Sequence, residues 1–81
     1  MTKEIKMPFL KKDASSCVLA LWACEPGEAL HKGDVIFEAE VDKVTEEICC
    51  DEDMIITEFL FDEGDEVAFG TPVALCEVSD R

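Results

Sequence analysis

The 81-residue sequence predicts an all-β fold, either a sandwich or a flattened barrel. Three observations lead to this prediction: short runs of strand-like residues, turn signals at regular intervals between the runs, and an internal repeat. No segment combines a sustained helical period with helix caps. The predicted strands span residues 3–9, 17–24, 35–41, 44–49, 54–61 and 73–78. No linker or low-complexity stretch interrupts them, so residues 1–81 are predicted to form a single domain.

The internal repeat relates the two halves of the chain. An offset of 37 residues aligns turn glycines, acidic residues and aromatic residues: Gly27 with Gly64, Gly33 with Gly70, Glu40 with Glu77, and Trp22 with Phe59. Two copies are too few for a solenoid. They predict two similar sheets related by a pseudo-two-fold axis. The same offset places Asp42-Lys43 opposite Ser79-Asp80, at the other end of such a sandwich.

The second predicted strand includes the segment VLALWAC, residues 18–24, which is apolar on both faces. A strand buried on both faces, or a bulge that changes the alternation, explains this pattern. The alternative is an exposed docking patch. We expect burial, with Trp22 in the core.

The third and fourth predicted strands form a hairpin with Asp42-Lys43 at its tip. Alternating residues of the first arm place Val41 on one face and Glu40 on the other. Two-residue hairpin turns favour Asn-Gly or Asp-Gly, because the turn requires positive φ. A lysine in that conformation costs about 1 kcal/mol or more. A lysine in place of glycine therefore indicates that something outside the domain uses its amine. The structural alternative is a charge partner for the acids nearby at positions 38, 40, 42, 46 and 47.

Composition excludes several functions. The net charge of −13 argues against nucleic acid and anionic membrane, both of which favour basic clusters. The longest apolar run is too short to span a bilayer, and the first residues lack the apolar core of a signal peptide. We therefore expect a cytoplasmic location. The sequence offers no nucleophile–base–acid set and no phosphate-binding loop, so we predict no catalytic residues.

The five cysteines predict free thiols in a reducing compartment, because a secreted disulfide scaffold usually has an even number. Cys17, Cys24 and Cys76 lie in or beside apolar runs and are expected in the core. The segment 49–53, CCDED, matches no closed zinc set, and His31 lies elsewhere in the sequence. We predict no metal site.

The chain resembles the lipoyl domains of 2-oxo acid dehydrogenase complexes, within the biotinyl/lipoyl attachment superfamily. The matching segments are KMPFL, Trp22, EPGEALHKGDVIFEAEVDKV and DEGDEVAFGTPVALCEV, which together extend from Ile5 to Val78. The resemblance implies a flattened barrel of two four-stranded antiparallel sheets. It also implies covalent lipoate on Lys43, with Glu40 and Asp42 recognised by the modifying enzyme, a lipoate ligase or lipoyl transferase. Biotin domains place methionine on both sides of the lysine, whereas Asp42 and Val44 stand there here.

The resemblance further implies that the domain is a carrier, part of or partner to a dihydrolipoamide acyltransferase component. In that role the lipoyl arm exchanges acyl groups and electrons with a thiamin-dependent decarboxylase, the acyltransferase and dihydrolipoamide dehydrogenase. The isolated domain is expected to be monomeric. Two alternatives stay open: a lipoyl-like interaction module that is not modified, and a biotin carboxyl carrier domain.

The family's lipoyl hairpin lies near the loop between the first two strands. The corresponding segment here is LKKDASS, residues 10–16, whose Lys11, Lys12 and Asp13 are candidates for selecting the decarboxylase. A basic spot on an acidic domain can set register against an acidic partner patch. The alternative is a solvated loop without contacts. The sequence also departs from the family pattern, with Cys17 and Met54 where glycine is usual and with Val41 and Val44 around Asp42-Lys43.

Overall fold

The structure, a computed structural model, describes residues 1–78. These residues form eight strands: β1 (Thr2–Lys6), β2 (Ser16–Trp22), β3 (Ala29–Leu30), β4 (Val35–Val41), β5 (Val44–Cys49), β6 (Met54–Phe59), β7 (Glu66–Ala68) and β8 (Pro72–Val78). They build two four-stranded sheets, in the orders β1-β8-β6-β3 and β5-β4-β2-β7, with antiparallel pairing throughout. We call these the terminal sheet and the hairpin sheet. The predicted all-β fold of two antiparallel sheets is confirmed.

All six predicted strands are present, and β4 and β5 have the predicted bounds. The first strand was predicted to continue to residue 9 but ends at Lys6, because Pro8 has no N–H to donate to a ladder. The second and fifth predicted strands are also too long at their carboxyl ends, since β2 ends at Trp22 and β6 at Phe59. The short strands β3 and β7 were not among the predicted segments.

The pseudo-two-fold axis predicted from the repeat is visible in the backbone hydrogen bonds. The amide of Gly27 donates to the carbonyl of Ile56 at 2.6 Å, and the amide of Gly64 donates to the carbonyl of Leu19 at 2.8 Å. Both glycines have positive φ, +90° and +94°, which a glycine adopts without steric cost. Each half therefore closes its turn on the strand of the other half. The predicted correspondence of Asp42-Lys43 with Ser79-Asp80 lies outside the described residues.

The aromatic residues that the repeat aligns lie against each other. Trp22 and Phe59 stack with ring centroids 3.9 Å apart and planes within 3° of parallel. The indole nitrogen of Trp22 donates to the carbonyl of Phe61 at 3.1 Å. Both rings are half-buried and pack against the core, as predicted for Trp22.

A bulge explains the apolar residues on both faces of β2. The β2–β4 register shifts between Leu19 and Leu21, so Leu19 is fully buried while Val18 and Leu21 stay partly exposed. The β6–β8 register shifts in the same way between Ile56 and Glu58, 37 residues later. Of the two explanations that the sequence allowed, the bulge is therefore correct and burial on both faces is wrong. The repeat extends to the bulge itself.

The core lies between the two sheets, where Phe37, Leu19 and Ile56 are fully buried. The three predicted core cysteines are buried there, and Cys50 joins them. All five cysteines, including the exposed Cys49, are free thiols. Burial raises the pKa of the Cys17 and Cys76 thiols, and it raises that of Cys24 to about 11. Residues 1–78 include no helix that is long and apolar enough to cross a membrane.

Candidate functional site

The tip of the β4–β5 hairpin carries the candidate site. Val41 pairs with Val44 across the last rung of the ladder, which leaves Asp42 and Lys43 as the two central residues of the turn. Their φ values are 51° and 67°. Positive φ at both central residues is the requirement of a type I′ turn. Among the described residues, only these two have positive φ without being glycine. The sequence-based prediction of a lysine in a left-handed turn is confirmed.

Cys17 and Met54, which replace the family's usual glycines, both keep negative φ. Both are buried, at the start of β2 and of β6 respectively. Their side chains therefore add to the core without straining the backbone, and this departure from the family pattern leaves the fold intact.

The side chain of Lys43 is exposed, and it forms no ion pair with any residue of the described part of the chain. The charge-partner alternative therefore receives no support from the acids at positions 38, 40, 42, 46 and 47. Asp42 is engaged instead by a different lysine. The ammonium of Lys11 lies 2.6 Å from the carboxylate of Asp42.

Lys11 belongs to the loop of residues 7–15 between β1 and β2, which the backbone fixes at both ends. The amide of Gly70 donates to the carbonyl of Met7 at 2.7 Å, and the amide of Phe69 donates to the carbonyl of Ser15 at 2.9 Å. The ion pair between Lys11 and Asp42 shows that this loop lies beside the hairpin, as the resemblance implied. Lys12 and Asp13 are exposed in the same loop and form no ion pair within residues 1–78.

The loop also presents a large apolar side chain that the sequence analysis missed. Phe9 is 81% exposed, the highest value among the exposed large hydrophobic residues of the described chain. Its ring meets Phe69 edge to face, with centroids 5.7 Å apart. Pro8 directly before it was the available signal, because a proline has no N–H to donate to a strand ladder.

Glu40, the other predicted recognition residue, lies on the outer face of the hairpin sheet. Its neighbours across the ladder are Thr45 on β5 and Val18 on β2, and paired residues share a face. The carboxylate is exposed and has no hydrogen bond or ion pair with the side chains of residues 1–78.

The equivalent carboxylate in the terminal sheet has a different environment. Glu77 accepts a hydrogen bond from the hydroxyl of Thr2 and lies 3.3 Å from the N-terminal ammonium of Met1. The Thr2 hydrogen bond, followed by that ammonium, lowers the pKa of the Glu77 carboxyl. Of two positions related by the pseudo-dyad, one carboxylate has structural partners and the other, three residues from Lys43, is available to another molecule.

The outer face of the hairpin sheet also contains a like-charge pair. Glu38 on β4 and Glu47 on β5 are directly opposite in the ladder. Directly opposed like charges are destabilising. No described residue supplies a counter-ion to either carboxylate.

The acidic segment after β5 bonds to groups of the same chain. The ammonium of Lys3 lies 2.5 Å from Glu52 and 3.8 Å from Asp51, and Asp53 accepts a hydrogen bond from the amide of Lys32 at 2.9 Å. The Cys50 thiol donates to the backbone carbonyl of His31. His31 itself is an exposed residue. In residues 1–78 no group of three or more potential ligands is arranged to hold a metal ion.

Two clefts on the surface of the described residues lie away from the hairpin tip. These clefts, of about 220 and 230 Å³, lie along the terminal sheet and along the seam between β1 and β5, and neither is lined by residues 41–44. The amine of Lys43 has no carboxylate partner in residues 1–78. The neighbouring carboxylate, that of Asp42, is already paired with Lys11. An acyl group attached to that amine would meet neither a buried wall nor an existing ion pair.

Comparison with known proteins agrees with this geometry. Residues 3–76 match the family model for biotin and lipoyl attachment, described as that of a biotin-requiring enzyme. The chain is 37% identical over 67 residues, 83% of its length, to a dihydrolipoyllysine-residue succinyltransferase component of the 2-oxoglutarate dehydrogenase complex from Bacillus subtilis. It is 36% identical over 76 residues, 93% of its length, to a dihydrolipoyllysine-residue acetyltransferase component of the pyruvate dehydrogenase complex from Zymomonas mobilis.

The chain spans about a sixth of these relatives, 16% and 17% of their lengths. A solved structure covers the same extent as this chain. It is the lipoyl domain of the 2-oxoglutarate dehydrogenase complex from Azotobacter vinelandii, with a TM-score of 0.78 and 31% identity, and the match covers 93% of this chain and 95% of that one. The chain therefore belongs to the biotinyl/lipoyl attachment family, and within that family to the lipoyl domains.

Proposed function

We propose that this domain carries lipoate as an amide on Lys43 and serves as the mobile carrier of a 2-oxo acid dehydrogenase complex. The observation that carries the proposal is the turn itself. It holds a lysine at φ 67°, where glycine is favoured, and exposes that lysine without a carboxylate partner in residues 1–78. The family's attachment lysine occupies this hairpin position.

The residues of the chain have three tasks in this function. The amine of Lys43 attacks the acyl carbon of an activated lipoyl group, the bond to the activating group breaks and that group leaves, and the nitrogen loses a proton to become a neutral amide. The hairpin sheet is the rigid base on which the arm is mounted, and attachment raises the effective concentration of the arm at each partner. When attached, the lipoyl group supplies a dithiolane that accepts an acyl group and two electrons.

The proposed partners are those that the resemblance to lipoyl domains implies. They are a lipoate ligase or lipoyl transferase, a thiamin-dependent decarboxylase, an acyltransferase and dihydrolipoamide dehydrogenase. The domain is proposed to be part of, or partner to, a dihydrolipoamide acyltransferase component. The free thiols support a reducing compartment, for which we propose the cytoplasm. As an isolated domain it is proposed to be monomeric.

The test is site-specific modification. The unmodified domain is incubated with lipoate, ATP and a lipoate ligase, and the adduct is located by peptide mass spectrometry. We expect one adduct, on Lys43, and none after Lys43→Arg. A domain that stays unmodified, or that is modified at Lys11 or Lys32 with Lys43 untouched, contradicts the proposal. Biotin and a biotin ligase in place of lipoate test the biotin carrier alternative.

Recognition by the modifying enzyme has a matched control within the chain. Glu40→Gln removes the exposed carboxylate near Lys43, and Glu77→Gln removes its equivalent in the other sheet. We expect Glu40→Gln to slow modification while shifting stability by less than about 0.5 kcal/mol, as for an exposed residue. Glu77→Gln should leave the modification rate unchanged. Equal rates for both variants would show that Glu40 is not recognised.

The loop residues Lys11, Lys12 and Asp13 are proposed to help select the decarboxylase. Charges at the rim of an interface mainly alter association rate and salt dependence. The double variant Lys11→Glu/Lys12→Glu should therefore be acylated more slowly than the wild-type domain. The difference between the two rates should be larger at low salt than at high salt. Wild-type rates across the salt range would leave the loop without this role.

A further inference from the structure

We propose that Lys11 is a positioning residue for Lys43, acting through Asp42 before any partner binds. Lys11 braces the strained turn by ion-pairing with Asp42, and it also occupies the carboxylate nearest to Lys43 in sequence. This inference rests on the proposed function for its kinetic consequence. Its structural part concerns the unmodified domain alone.

The turn at the hairpin tip is strained. Asp42 and Lys43 both adopt positive φ, and each non-glycine residue in that region is held at a cost. Such conformations persist where the surroundings determine them. The hairpin ladder ends at Val41 and Val44, so the ladder contributes no contact to the turn side chains. In the described structure, the turn side chains have one ion pair, between the ammonium of Lys11 and the carboxylate of Asp42, at 2.6 Å.

The loop that carries Lys11 is longer than its equivalent in the other half of the chain. Under the pseudo-dyad β1 and β5 are equivalent, because each is the edge strand beside β8 or β4, and Thr2 pairs with Glu77 as Thr45 pairs with Glu40. The equivalent loops are residues 7–15 and residues 50–53. The longer loop is the one beside Lys43, and its additional length carries Lys11 to the turn.

The ion pair between Lys11 and Asp42 also affects the amine of Lys43. An amine that must attack an activated acyl group is hindered when an adjacent carboxylate holds it in an ion pair. Lys11 takes that carboxylate instead. The described structure accordingly shows Asp42 paired with Lys11, and Lys43 without an ion pair among residues 1–78.

The structural part is tested on the unmodified domain by NMR. Lys11→Met removes the charge and keeps most of the side chain. The matched control is Lys12→Met, in the same loop, exposed and without an ion pair in residues 1–78. We expect Lys11→Met to shift the amide signals of residues 42–44 and to raise their solvent exchange about two- to fivefold, the effect expected for an exposed ion pair. Lys12→Met should leave these signals in place, and Lys11→Arg should restore them.

The kinetic part measures lipoylation of the same variants. We expect Lys11→Met to lower kcat/KM about two- to fivefold at low salt, with the difference disappearing as salt screens the pair. Lys11→Arg should recover the rate, and Lys12→Met should not change it. If Lys11→Met slows modification while the signals of residues 42–44 stay unchanged, Lys11 contacts the ligase directly and the proposal is wrong.

Two further outcomes are distinguishable. Identical spectra and rates for Lys11→Met and Lys12→Met would overturn the proposal that Lys11 stabilises the turn through Asp42. A wild-type domain that is not modified at all would overturn the proposed function, while the spectra of the unmodified variants would still decide whether Lys11 holds the turn.

Discussion

Replacing Lys43 with glycine should stabilise the domain while abolishing its proposed modification. At φ 67° a residue with a Cβ atom costs about 1–2 kcal/mol relative to its preferred conformation. Glycine removes this cost. Its unfolded chain is more flexible, however, and the larger loss of conformational entropy on folding cancels about 0.5–1 kcal/mol of the gain. The net gain for Lys43→Gly is therefore about 1 kcal/mol. For a domain of this size, that gain corresponds to a rise in Tm of about 4–8 °C.

The assay is urea and thermal unfolding of the unmodified domain, with Lys43→Ala as the control. Alanine removes the amine but keeps the Cβ atom, so Lys43→Ala should lie within about 0.5 kcal/mol of the wild-type domain. The slope of the unfolding free energy against urea concentration should be the same for all three proteins, which would show that stability has changed and the compactness of the two states has not. Equal midpoints for the glycine and alanine variants would refute the claim that Lys43 is held against local stability.

Further predictions concern the surface charges and the thiols. Glu47→Lys should stabilise the domain by about 0.5–1 kcal/mol at low salt, because Glu38 lies directly opposite. Glu46→Lys, which makes the same charge change opposite an alanine, should give a smaller gain, and the two should converge at high salt. A thiol reagent should modify Cys49 rapidly in the native domain and all five cysteines after denaturation, and a rapid second thiol would contradict the structure. Stability should fall as pH rises from 9 towards 11, because Cys24 keeps its proton in the fold after the unfolded chain has lost it.

The parts of the fold that the sequence predicted are those with a local physical signature. The β4–β5 hairpin was predicted to the residue, because alternation in both arms leaves two positions for the turn. The repeat predicted the relation between the sheets, because the same turn glycines recur at the same offset. Strands β3 and β7 were missed because two or three residues are too short for a period to be recognised.

The candidate site divides in the same way. The position and backbone conformation of Lys43 follow from the turn, and the sequence was sufficient for both. The ion pair between Lys11 and Asp42 was not predicted, because it joins a loop to a hairpin tip 31 positions later and depends on how the loop folds. The exposure of Phe9 was missed for a different reason: the first strand was expected to include that residue, but it ends at Lys6.

The pseudo-dyad makes one end of the molecule a control for the other. At the terminal end, Glu77 is bonded to Thr2 and Lys3 lies against Glu52. At the hairpin end, the Glu40 carboxylate and the Lys43 amine have no partner in residues 1–78, and Glu38 faces Glu47 uncompensated. The two ends share strand order, register shifts and turn glycines, so the strands do not impose this difference. The side chains, the N-terminal ammonium and the unequal loops create it, and they leave Glu40 and Lys43 without partners at the hairpin end. A partner of this domain is therefore to be sought at the hairpin end, where the chain retains charges that its own stability does not need.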